Sequence, residues 1–284
     1  MMDFLTANVV TEDNFVLQGF LMQPEGKKVA IIFIHGFSSN FFKNIDIMRE
    51  LVAFGYTTFS LNTRGHDVLS VVPKIGKGNV VIGSAKENFE DCIFDIDGVV
   101  KLLRKSGIKK IFLMGISSGA DKVAFYLSKS TDVEIKGGIL VSPGSNIAII
   151  KKELGGDFEK LMKEALERVQ MGKGDELLCH SKMKIPVSYK RFVSLYSEES
   201  NENAFPFHRE ETDFPILSKI KKPIFVALGE KDPFHKDPKI LLKMLKSKLG
   251  NKKNEFKSFK AGHSFIGSED LLAWEITRWI GRIS

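Results

Sequence analysis

Four apolar runs, each ending in a small-residue or polar loop, constrain this chain more than any other feature: "VAIIFI" (29–34), "KKIFLMG" (109–115), "IKGGILVSP" (135–143) and "KPIFVALGEKD" (222–232). A strand with one wet face alternates apolar and polar residues. These runs barely alternate, so they read as strands covered on both faces. Helical spacing intervenes in "KNIDIMRELVAFG" (43–55), "SAKENFEDCIFDIDGVVKLLRKSG" (84–107), "ADKVAFYLSKS" (120–130) and "SEDLLAWEITRWIGRIS" (268–284). In the second of these, Ser84 and Glu87 have the spacing of a capping box, and Phe89, Ile93, Ile96, Val100 and Leu103 mark the buried side. Gly55 is positioned to end the first. Strands alternating with helices predict an α/β chain with a mostly parallel central sheet and helices on both faces. A hairpin over 8–24, turning at Glu12-Asp13-Asn14, feeds the first buried strand, and 56–67 begins as another strand and ends in a polar loop.

The alternation breaks between Pro143 and about Asp213, where one helical segment, "DFEKLMKEALERVQMG", precedes a polar, aromatic-studded stretch. This reads as an insertion between two late strands. The predicted organisation is a core of 1–144 and 213–284 with a cap over 145–212. No repeat or low-complexity linker separates an independent domain.

Charge and cysteines narrow the function classes. The formal net charge is +7, but the lysines gather in 236–260, where Ile240, Leu241, Met244 and Leu245 mark the buried side of an amphipathic helix. A solvated basic helix face accounts for that, and no aromatic spacing suggests base stacking, so nucleic acid is not an expected partner. Cys92 and Cys179 have neither disulfide-framework nor metal-ligand spacing. No apolar run reaches the roughly 18 residues that span a bilayer, and "MMDFLTANVV" lacks a basic region before an apolar core. The reading is a soluble cytoplasmic protein with no membrane partner, metal or cofactor. Its oligomeric state is not legible.

The chemistry centres on Gly115-Ile116-Ser117-Ser118-Gly119, between a predicted strand and a predicted helix. The G-x-S-x-G motif requires that context: small residues let the turn close and push the hydroxyl above the sheet. A serine hydroxyl needs a base, and the base needs a carboxylate to orient it. Of six histidines, His263 sits in a loop before the last helix. His180 and His208 lie in the insertion, His66 suits a loop-bracing bond, and His235 follows Asp232 too closely to face it. Asp232, just past the last long apolar strand, is the expected acid, with Glu230 and Asp237 as rivals. The "FIHGFSS" segment supplies the rest: Gly36 lets the N–H of Phe37 turn toward Ser117, the N–H of Ser118 is the second oxyanion donor, and His35 pins the loop.

From "VAIIFIHGFSSN" through "NTRGHD", "FLMGISSGADK" and "VALGEKDPF" to "AGHSF", the chain resembles the α/β-hydrolases over nearly its whole length. The resemblance implies a Ser117, Asp232, His263 triad with Phe37 and Ser118 as donors. "NTRGHD" and "GISSGADK" also resemble a siderophore-esterase-like branch, in which His is common where Ile116 stands here. The implied activity is hydrolysis of a small-molecule carboxylic ester through an acyl-enzyme. Peptidase, thioesterase and acyltransferase chemistry remain open on the same triad, as does a non-catalytic binding module. Arg64, Phe192, Tyr196 and Phe207 are candidate substrate contacts.

Overall fold

The computed structural model describes residues 4–24, 28–209, 212–235 and 237–283. Residues 1–3, 25–27 and 284 of the expected core, 210–211 of the expected cap and Lys236 of the basic stretch lie outside them.

The strands are β1 (Phe4–Val10), β2 (Val16–Met22), β3 (Val29–Ile34), β4 (Thr57–Leu61), β5 (Val71–Lys74), β6 (Gly78–Val81), β7 (Lys110–Ile116), β8 (Ile135–Val141), β9 (Leu177–Leu178), β10 (Val187–Ser188), β11 (Ile224–Gly229) and β12 (Glu255–Phe259). The helices are α1 (Ile45–Ala53), α2 (Cys92–Lys105), α3 (Ser118–Lys129), α4 (Asn146–Leu154), α5 (Asp157–Gln170), α6 (Tyr189–Tyr196), α7 (Pro238–Lys248) and α8 (Glu269–Ile283). Eight strands form one sheet in the order β1-β2-β4-β3-β7-β8-β11-β12. The β1–β2 hairpin joins antiparallel at one edge, and every pairing from β4 to β12 is parallel. As predicted, helices cover both faces. Trp279 and Ile276 of α8 pack with Met48 and Leu51 of α1 on one side. Ile96, Val123 and Leu245, from α2, α3 and α7, pack on the other.

Several local expectations give way. The helix expected from Ser84 begins at Cys92, after a 3-10 turn over Phe89–Asp91. Ser84 and Glu87 form no capping box: among the described residues the Ser84 hydroxyl has no hydrogen-bond partner, and Glu87 is committed to buried cations. In α7 the buried side chains are Pro238, Leu242 and Leu245, while Ile240 is 63% exposed. The Asp237 carboxylate caps this helix by accepting from the N–H groups of Lys239 and Ile240, and the buried positions 238, 242 and 245 step by four and three, a stripe that leaves Ile240 on the other side. The sequence reading also missed β12 and the β5–β6 hairpin. Strand β12 is an edge strand in partial contact with solvent, so its pattern is too polar for a buried run.

Between β8 and β11, helices α4, α5 and α6 and the short β9–β10 pair carry their own apolar cluster of Leu154, Phe158, Leu161, Leu178, Phe192 and Leu195. No described helix is long and apolar enough to cross a membrane.

Candidate active site

Chain order along the sheet reverses at β3: β4 lies on one side and β7 on the other. At such a switch point the loops leaving two adjacent strands diverge and open a crevice at their carboxyl ends. The register pairs Ile34 with Gly115, so the two residues beyond them, Gly36 and Ser117, meet at the crevice floor. A Cβ on Gly36 would lie 3.2 Å from the Cβ of Ser117. Ser117 itself has φ 54° and ψ −129°, with its N–H bonded to the Val141 carbonyl at 2.9 Å, and α3 starts at the next residue. The turn closes because a Cβ on Gly115 would fall 2.1 Å from the Gly119 carbonyl oxygen, and one on Gly119 would fall 2.3 Å from the Ile34 carbonyl oxygen. Only hydrogen fits at either position. A non-glycine residue at such a φ stores about 1–3 kcal/mol of strain, held here by the strand before it and the helix after it.

Among the described residues, the N–H groups of Phe37 and Ser118 donate to no protein acceptor. They are therefore available to an oxyanion, and the start of α3 adds the positive end of a helix dipole. His35 fixes the first of these loops. Its Nε2 accepts from the backbone N–H of Thr63 at 3.2 Å, so its Nδ1 carries the proton and donates to the Gly36 carbonyl at 2.8 Å. Burial, helped by the Lys122 charge, lowers its pKa to about 4.

An unfolded imidazole takes up a proton near pH 6.5 and the folded His35 only near pH 4, so between those values the unfolded chain binds more protons. Acidification through that window is expected to cost about 2 kcal/mol between pH 7.5 and 5, and about 3 kcal/mol once below 4. Denaturant melts of the wild type and His35→Gln at several pH values measure this. The variant should lose about one proton from the slope, and equal slopes would remove His35 from the account.

Asp232 follows β11 and His263 precedes α8. Asp232 is buried, and its Oδ2 accepts from His263 Nδ1 at 2.7 Å while its Oδ1 accepts from the Phe234 N–H at 3.0 Å. Burial alone would raise the carboxyl pKa. The hydrogen bonds from His263 and Phe234 and the nearby imidazoles outweigh it, so Asp232 stays below the usual carboxylate range and ionised. The His263 carbonyl accepts from Ser142 Oγ at 2.7 Å, and Phe234 packs edge-on to its ring at 4.8 Å. The rival acids are engaged elsewhere: Glu230 accepts from Ser258 Oγ, and Asp237 caps α7.

His235 departs from expectation. It does face Asp232, its Nε2 lying 3.5 Å from Oδ2 but too poorly aligned for a hydrogen bond. A tight turn, in which the His235 N–H donates to the Asp232 carbonyl at 3.2 Å, folds the ring back against the carboxylate. Burial lowers its pKa, which keeps the ring neutral at pH 7. His66 bonds to the Thr63 carbonyl, His208 to Ser145 and Glu198, and His180 stays near Asp157, all outside the site.

Ser117, Ser118, Phe37 and His263 border one partly open cavity of about 230 Å³, to whose wall α4 and α6 also contribute residues. No hydrogen bond joins the Ser117 hydroxyl to His263 among the described residues, and in unliganded sites that contact often tightens only with substrate. A larger groove of about 530 Å³, between Asp97, Arg104 and Asp132, holds none of the predicted site residues.

Of the four candidate substrate contacts, only Tyr196 borders the cavity. Arg64 is buried beneath the loops and bonded to Asp13, Asp91 and Asp95. Phe192 lies wholly inside the apolar cluster of α4–α6. Phe207 packs on Phe205, Phe214 and the His235 ring. Sequence reasoning missed the polar network behind the cavity: Glu87 accepts from Lys122 of α3 at 2.7 Å and from Arg191 of α6 at 3.0 Å, and Arg191 also binds Glu202 and the Ser84 carbonyl. The two cations outweigh burial and hold Glu87 ionised, so the carboxylate ties α6 to α3, the helix that starts after Ser117. Among the described residues, no group of three or more His, Cys, Asp or Glu is arranged to hold a metal ion.

A family model described as "Protein of unknown function (DUF1749)" matches residues 6–262. The chain belongs to the DUF1749 family. No curated protein sequence matches it. Among solved structures, this DUF1749 chain is similar to the esterase Pf2001 of Pyrococcus furiosus, with 21% identity and TM-score 0.61 over 99% of this chain and 93% of the other. It is also similar to Est1E from Butyrivibrio proteoclasticus with ferulic acid bound (16% identity, TM-score 0.66, 98% and 99% covered). A third is the siderophore hydrolase EstB from Aspergillus fumigatus (17% identity, TM-score 0.67, 98% of each chain). At these identities the likeness carries the fold, and the sheet order and helix layers agree with it: this is an α/β-hydrolase fold.

Proposed function

We propose that this DUF1749 protein hydrolyses small-molecule carboxylic esters, with Ser117 as nucleophile, His263 as base and Asp232 as the orienting acid. The observation that carries this reading is the 2.7 Å contact between His263 Nδ1 and Asp232 Oδ2, on the same cavity as a serine held at φ 54°. Because the ionised Asp232 accepts a hydrogen bond from the protonated Nδ1, the lone pair on His263 falls at Nε2, the nitrogen able to accept the Ser117 proton. The alkoxide attacks the ester carbonyl, and the N–H groups of Phe37 and Ser118 hold the charge that develops on its oxygen. His263 then gives its proton to the departing alcohol. Water, deprotonated by the same imidazole, clears the acyl-enzyme. No metal or organic cofactor enters any step.

The esterases and the siderophore hydrolase among the structural relatives support the choice of an ester. Residues 145–212 act as a cap that sets the size of the substrate, since α4 and α6 supply much of the cavity wall. The free thiols, Cys92 buried and Cys179 exposed, suit reducing cytoplasmic surroundings.

The deciding experiment is covalent labelling with a fluorophosphonate, followed by peptide mapping. A single adduct on Ser117, blocked when His263 is replaced by alanine, is the expected result. An unlabelled Ser117 in folded protein would return the chain to the binding-module class.

A further inference from the structure

One polar group in the cavity has no part in the hydrolytic steps. Asp121 lies on α3, four residues after Ser117 and hence on the same side of the helix, and it borders the same cavity. It is 1% exposed, and among the described residues its Oδ1 has no hydrogen-bond partner. The nearby cations are committed elsewhere: Lys122 turns to Glu87, and Arg191 is shared by Glu87 and Glu202. Burial, with the Glu202 carboxylate adding repulsion, pushes the Asp121 carboxyl well above the usual range, and the N–H groups of Asp121 and Ala204 draw it back only in part. The shift favours the neutral acid, the form that carries one O–H donor and spare acceptor capacity. Its cavity neighbours include the apolar side chains of Ile150 and Leu195, with Tyr196 alongside. A carboxyl that only filled space would be replaceable by an apolar side chain of similar size, and an unmet buried polar atom is unfavourable unless something binds it.

The geometry points to Asp121 as a specificity-determining residue that recognises an uncharged group able both to donate and to accept, a hydroxyl or an amide, carried by the ester beyond its scissile carbonyl. This rests on the serine-hydrolase reading and adds the substrate's second anchor. A neutral acid and an amide pair reciprocally, O–H to C=O and N–H to C=O. A carboxylate on the substrate would be repelled by Glu202. A methyl terminus would leave Oδ1 as unpaired in the complex as in the free protein.

The test compares kcat/KM for paired esters of short to medium chain length that end in methyl, primary amide, hydroxyl or ammonium. The terminal group is varied first on the acyl side and then on the alcohol side. Wild type is expected to favour the amide or hydroxyl member over the methyl member by about tenfold or more at the matching length. Asp121→Leu should lose that preference by about the same factor, and Asp121→Asn, which keeps a donor and an acceptor, should retain most of it. The readout is a ratio within each variant, so a fall in absolute rate does not obscure it. Should Asp121→Leu melt early, Asp121→Ala gives the same ratio.

Equal rates for amide, hydroxyl and methyl esters at every length would overturn the assignment, as would an unchanged preference in both apolar variants or a preference for ammonium. If no ester is turned over and Ser117 takes no fluorophosphonate, the hydrolase reading itself fails and takes this inference with it. Labelled Ser117 with indifferent selectivity removes the inference alone.

Discussion

Ser117→Ala is expected to cut kcat for ester hydrolysis on the order of 10⁵- to 10⁶-fold while leaving the fold intact. Nothing else bordering the cavity can replace the hydroxyl with the same geometry. Ser118, the adjacent hydroxyl, sits at the first position of α3 and is buried, one residue past the apex of the turn. The residual rate should match that of oxyanion donors acting on water alone. A stability measurement makes the prediction sharper. Alanine inherits the backbone strain at φ 54°, so its melting point should stay close to wild type. Ser117→Gly relieves that strain, and after subtracting the extra chain entropy of glycine the net gain should be about 1 kcal/mol, with equally complete loss of activity. A more stable but inactive glycine variant would mark the strained turn as a cost borne for catalysis. Retained turnover in Ser117→Ala would remove the proposed mechanism.

The parts of the site that were legible in the sequence are those where sterics leave no choice. Gly115 and Gly119 appear as letters because no Cβ fits there, and the β3–β7 register carries Gly36 to Ser117 as soon as both runs are read as parallel neighbours. Asp232 could be picked out because it follows a recognisable strand end, and His263 because it stands in the loop before the last helix. What stayed hidden depends on contacts between residues far apart in the chain. Glu87 has capping-box spacing to Ser84, yet its partners Lys122 and Arg191 lie 35 and 104 residues away. Local pattern cannot see either.

Arg64, a candidate substrate contact in the sequence, is held by three carboxylates that lie far from it in the chain. Phe192 and Phe207 show that hydrophobicity reports packing and not direction: Phe192 is wholly buried and the half-buried Phe207 packs on other rings, while the half-buried Tyr196 reaches the cavity. His235 was set aside because it stands three residues from Asp232, but a tight turn brings such neighbours together. Asp121 went unremarked, since the helical pattern of 120–130 gives no sign that a residue at its start is buried and borders a cavity.

Asp232→Asn is expected to lower kcat on the order of 10⁴-fold at neutral pH with the structure preserved. Asparagine keeps an Oδ1 acceptor for the Phe234 N–H, so the loop after β11 retains its bond and the side chain its orientation. Its amide nitrogen then occupies the place of Oδ2 and donates toward His263 Nδ1, which must become an acceptor. The ring proton moves to Nε2, and the nitrogen facing Ser117 can no longer take a proton. The defect therefore belongs to kcat, and KM should change little, because neither residue is needed to seat the substrate.

Fluorophosphonate labelling of Ser117 should slow in step with turnover, since it draws on the same base. Glu230→Gln makes the control. Its carboxylate accepts from Ser258 on β12, and its replacement should leave turnover within about threefold of wild type, in the range of ordinary surface changes. If Glu230→Gln were the damaging change and Asp232→Asn the mild one, the orienting acid would have to be reassigned, and the 2.7 Å contact with His263 would be structural only.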